Sequence, residues 1–161
     1  MSFVMTIDHL GGHDDIALAL GNMIVAWSGA EATLVHAMAI VGSLDINQAN
    51  SGFYRIPTFE SRVKFILAMI PDWEASTYDK PAIIKAIDAI SGLASTRNSW
   101  VHNSWVADVS LGGGGIFVVN ARVPRGSQNQ LKPVKAHDIR HHAETVISRT
   151  KILYGLLFPQ P

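Results

Sequence analysis

Six consecutive residues, Arg97-Asn98-Ser99-Trp100-Val101-His102, hold the side chains best suited to chemistry in this sequence. A guanidinium offers paired hydrogen bonds to phosphate or carboxylate oxygens. An imidazole is the side-chain type that changes charge near neutral pH, so it can take up or deliver a proton. On a helix, with about 100° per residue, Asn98 and His102 share a face. Arg97 and His102 are five apart and stand about 140° around the axis, so only a long, bent Arg side chain joins them. A stripe Ile83, Ile87, Ile90, Ala94, Arg97, Val101 sets Arg97 among apolar neighbours. The adjacent stripe Ser91, Ser95, Asn98, His102 is small and polar, which suits a groove floor or an interface.

An Arg followed by a polar residue, three further residues and a His, near the end of a late helix in a small helical protein, resembles the signature of the HEPN superfamily. The upstream run Trp27-Ser28-Gly29-Ala30-Glu31, with Leu34 after it, is similar to the first-helix pattern of some bacterial and phage relatives. The resemblance spans roughly residues 14–105. It implies a metal-independent ribonuclease, acting as a toxin or in phage defence, that dimerises so that two motifs line one cleft. It also implies the roles. His102 would be the general acid or base for attack of a ribose 2′-hydroxyl on the adjacent phosphate. Arg97 would stabilise charge on the phosphorane oxygens, and Asn98 would position phosphate or imidazole. No cofactor or metal is expected. The implied partners are a second copy of the chain, RNA and a cognate antitoxin.

Charge is unevenly spread around a net of zero. Residues 1–54 carry five acids and no Lys or Arg, and all thirteen basic residues follow. Arg122, Arg125, Lys132, Lys135 and Arg140 gather late and are candidates for binding an RNA strand; a solvated loop and helix face explains them equally well. Glu31 is the only acid inside the first helix. An Arg97–Glu31 pair joining two helices would account for both residues without catalysis, leaving an inert HEPN-like dimer that serves as a binding or scaffold module.

Other signals carry less. His137-x-x-x-His141 with Glu144 lacks a third strong metal ligand. Gly112–Gly115 has neither the Lys-Ser/Thr nor the following helix of a phosphate loop and reads as a hairpin turn. Ser99 and Ser104 lack an elbow motif and an orienting acid. With no cysteine, disulfides and thiolate catalysis are excluded.

The elements that must position these residues follow from periodicity and capping. Helices are expected from Asp14 or Asp15 to about Val41, Asp45 to about Asn50, Phe59 to Ile70 behind a Thr58 cap, from Pro81 behind Asp79 to about His102, and from Ala136 to Leu157. Trp105–Ser110 and Ile116–Val123 read as a hairpin. The expectation is a mainly α protein, a bundle of four or five helices with a small β-hairpin inserted before the last, in one domain over residues 1–161. From Ile16 to Leu44 the only charge is Glu31 and no Lys or Arg anchors the ends, so this stretch reads as a buried helix and not a membrane span. With no basic start or small-residue cleavage site at the N-terminus, the expected location is the cytoplasm.

Overall fold

The computed structural model describes residues 3–5, 10–74, 76–108, 115–120 and 131–159. The protein is mainly helical, with antiparallel strands before the last helix. In chain order the described elements are β1 (Phe3–Met5), α1 (Asp14–Val41), α2 (Ile46–Arg55), α3 (Phe59–Met69), α4 (Lys80–Ser91), α5 (Ala94–Val101), β2 (Ser104–Asp108), β3 (Ile116–Val119), β4 (Leu131–Pro133) and α6 (Ala136–Leu157).

These residues divide into two compact units, Val25–Ala94 with Glu144–Pro161, and Met1–Ile24 with Ser95–Ala143. The first is all helical. Its core holds Trp27, Leu34, Met38, Phe53, Ile66, Ile83, Ile87, Ile90 and Leu153, at helical spacing on each contributing element. Trp27 packs on Phe59 with ring centroids 4.8 Å apart. The second contains the start of α1, α5, the sheet and the start of α6, around Ile16, Met23, Val106, Ile116, Val118, Val134 and Ile139. The sheet order is β1-β2-β3-β4, with Val106 opposite Phe117 and Val118 opposite Lys132.

Local chemistry explains the helix ends. Asp45 caps α2 in a capping box with Gln48, Thr58 caps α3, and Asp79 caps α4 with Pro81 in its first turn. These side-chain oxygens satisfy amides that the first turn leaves unpaired. α1 stops in a reverse turn where the Leu44 amide donates to the Ala39 carbonyl (2.9 Å) and Ser43 donates to Ile40 (3.3 Å). Ser43 sits at φ 51° there, a left-handed position at which helices commonly end. α1 has the length and apolar composition of a membrane-crossing helix, and Ile16, Ala19, Met23, Ala26, Ala30, Leu34 and Val41 along it are buried within the protein.

Two differences from the sequence-based expectation bear on the site. The helix expected to run unbroken from Pro81 to His102 breaks at Gly92 and Leu93, where Leu93 donates back three residues to Ile90. Glycine costs about 1 kcal/mol in a helix, and the Ser, Thr and Asn residues that follow compete for backbone hydrogen bonds. Ser91 therefore ends α4 while Ser95 and Asn98 lie on α5, so the polar stripe is not one unbroken helical face. The hairpin is joined by β1 and β4 to make four strands. Pro133 suits its edge position, where no ladder amide is needed. Gly112–Gly114 of the expected turn lie outside the described residues.

Candidate active site

α5 is eight residues long and has no buried side chain. It delivers Arg97 half-buried and Asn98 exposed. His102 follows immediately, exposed, its amide donating to the Asn98 carbonyl at 3.0 Å. That bond continues the helical turn by one residue and fixes where the imidazole begins.

The three candidate residues come together. Arg97 Nη1 donates to Asn98 Oδ1 at 3.0 Å and lies 3.4 Å from His102 Nε2. The Arg side chain bends along the helix to bridge the 140° that separates it from His102. A guanidinium has only donors, so this contact is a hydrogen bond in the tautomer whose Nε2 accepts and whose proton is on Nδ1. In that tautomer the Nε2 lone pair faces a cation on an exposed surface. An incoming phosphate would compete for the same guanidinium face and free Nε2.

The partner of Glu31 is Arg62, at 3.1 Å, where the sequence suggests Arg97. Arg62 lies on α3 in the same helical unit as Glu31, and its Nε also donates to the Ile56 carbonyl at 3.0 Å. Its guanidinium rests 5.0 Å from the Phe53 ring centroid. The carboxylate in α1 thus found its cation on the neighbouring helix of its own core.

Of the basic residues expected to hold a strand, Lys132, Lys135 and Arg140 are exposed, while Arg122 and Arg125 lie outside the described residues. Lys132 on β4 lines a cleft with Ser95, Thr96, Ser99, Trp100 and Asn120, an association that sequence spacing did not reveal because β4 was not anticipated. His137 and His141 have ring centroids 6.4 Å apart on α6. Among the described residues no group of three or more His, Asp or Glu is arranged to hold a metal ion.

His142 is the buried histidine that sequence reasoning passed over. It is 7% exposed, meets the Trp100 ring edge-on at 5.2 Å, and its Nε2 has no hydrogen-bond partner among the described residues. Its place one residue before Ala143 on the apolar stripe of α6 is the signal that could have found it. Burial, followed by the neighbouring His141, lowers its pKa. The unfolded chain therefore binds a proton here that the folded chain resists, so folding stability falls as pH drops below the ordinary imidazole value near 6.5. Denaturant unfolding at pH 7.5 and pH 5.5 should show that loss, and His142→Phe should shrink it. An equal loss in the variant would assign the pH dependence to other groups.

No known protein family, curated protein or solved structure matches the chain.

Proposed function

We propose that this protein is a metal-independent endoribonuclease of the HEPN type. The observation that carries the reading is the contact of Arg97 Nη1 with both Asn98 Oδ1 and the region of His102 Nε2, which gathers a phosphate-binding cation and a proton-accepting nitrogen on one exposed surface. In the proposed reaction His102 Nε2 takes the proton of a ribose 2′-hydroxyl, whose oxygen attacks the adjacent phosphorus. Arg97 stabilises the negative charge that builds on the non-bridging oxygens, and Asn98 holds the guanidinium in place. The bond to the 5′ oxygen breaks and that oxygen receives a proton from the imidazolium, leaving a 2′,3′-cyclic phosphate and a 5′-hydroxyl. Every bond made and broken is accounted for without a metal.

The reading includes a homodimer, an RNA substrate, a cognate antitoxin as regulator and a cytoplasmic setting. Leu18 and Val25 on α1 are 66% and 72% exposed, apolar surface that a second copy would cover. The inert alternative took Glu31 as the partner of Arg97; the Glu31 carboxylate pairs with Arg62. The test is direct. Purified protein in EDTA should cut single-stranded or transfer RNA and leave 2′,3′-cyclic phosphate ends. Intact RNA across a panel of substrates, or 3′-hydroxyl ends, would overturn the proposal.

A further inference from the structure

A second feature of α5 lies on a different side from Arg97. At about 100° per residue, Thr96, Ser99 and Trp100 occupy one side of the helix and Arg97, Asn98 and His102 the other, with Ser95 at the boundary next to His102. The first group and Ser95 line a cleft of about 430 Å³ together with Asn120, at the end of β3, and Lys132 on β4. Its volume lies within the range of small-molecule sites.

The lining has a definite chemical character. Among the described residues that line it, the one charge is the ammonium of Lys132 and there is no carboxylate. Three hydroxyls and a carboxamide both donate and accept. The Ser99 hydroxyl donates to the Thr96 carbonyl at 2.7 Å, which leaves its oxygen turned to accept from a ligand N–H. Trp100 adds an aromatic surface; its carbonyl accepts from Trp105 Nε1 at 2.8 Å and its ring meets His142 edge-on. A cation for phosphate, an indole for a planar ring, and small donor-acceptor groups for polar edges together match one ligand class, a nucleotide. Single-strand binding proteins combine the same two elements, backbone cations and aromatic platforms.

We infer that this cleft binds one nucleotide of a single-stranded RNA, its phosphate at Lys132 and its base against Trp100, beside the nucleotide cleaved at His102. The position relative to cleavage rests on the ribonuclease reading; the nucleotide-binding cleft does not. Both sites draw on α5 and the residue that follows it, the cleft adding Asn120 and Lys132, so a strand that passes round this short helix reaches both.

Binding is read with a 2′-O-methyl oligoribonucleotide, which lacks the 2′ nucleophile and stays intact, by fluorescence anisotropy. Lys132→Glu should weaken binding at least about 10-fold, and Lys132→Ala should lower the slope of log affinity against log salt by about 0.7, the value of one single-strand phosphate contact. Trp100→Ala removes the platform; because that indole also supports its surroundings, Ser95→Phe, a change at an exposed position that fills the cleft without altering charge, gives the same information. It should also abolish binding of uridine monophosphate. Wild-type affinity in both Lys132→Glu and Ser95→Phe overturns the cleft. Inorganic phosphate binding as tightly as uridine monophosphate overturns the role of Trp100. Lys132-dependent binding with no cleavage of ordinary RNA keeps the cleft and removes the ribonuclease reading, whereas cleavage with binding indifferent to both variants does the reverse.

Discussion

His102→Ala should slow RNA cleavage by at least about 100-fold, the usual scale for loss of a general acid or base, and leave thermal unfolding where it was. The two halves of that expectation come from one geometry. His102 is exposed just past the end of α5, and its ring nitrogen meets Arg97 at 3.4 Å, a long contact at the surface that contributes little to folding. Its removal opens no core cavity. A large rate loss with unchanged stability would therefore report chemistry alone. Arg97→Lys is the companion variant. It keeps the charge but loses the planar fork that bonds Asn98 and would clasp a phosphate, so the rate should fall there too. Equal cleavage by wild type and His102→Ala would end the assignment of the imidazole as proton carrier.

The largest effect on stability is expected at Arg62, far from that chemistry in sequence. Its guanidinium bonds the Glu31 carboxylate and the Ile56 carbonyl and lies over the rings of Phe53 and Tyr54. The Arg62 and Glu31 side chains are only 14% and 20% exposed, so deleting one strands the other in a poorly solvated place. Burial and the Glu31 carboxylate raise the pKa of the adjacent Tyr54 phenol, with Arg62 opposing them. Arg62→Ala should cost about 3 kcal/mol, at the lower end of the range for breaking a buried pair because this one is partly exposed. For a protein of this size that is a fall of roughly 6–12 °C in Tm. Glu31→Gln should cost less, about 2 kcal/mol, because the amide still accepts one hydrogen bond. Combining the two changes should cost less than their sum. Additive losses would show that the two residues do not act as a pair.

How much of this could be read from residues alone depended on whether the signal was local. Asp45, Thr58 and Asp79 mark helix starts through bonds that reach three residues, and each is legible without knowledge of the fold. The hairpin strands β2 and β3 announce themselves by β-branched residues. β1 and β4 do not, because three-residue strands carry no periodicity and are defined by their partners. Gly92 was visible, but whether one glycine interrupts a helix or is absorbed depends on competing packing. The meeting of Arg97, Asn98 and His102 was legible because all three lie within six residues. The partner of Glu31 was not, since the ion pair spans thirty-one positions and several cations were available to it. The cleft at Lys132 was hidden for the same reason, its walls coming from α5, β3 and β4.

The short length of α5 has a consequence for motion. The first four amides and the last four carbonyls of any helix lack partners within it, so eight residues leave little internal ladder, and here no buried side chain adds an anchor. α4, by contrast, buries Ile83, Ala86, Ile87 and Ile90. Local opening costs least where buried contacts are few, so the amides of α5 should exchange with solvent ahead of those of α4. The residues proposed to act on RNA thus ride on a segment that can loosen without unfolding the helical core. A bound strand that grips it would suppress that exchange, and part of the binding free energy would be consumed in ordering it.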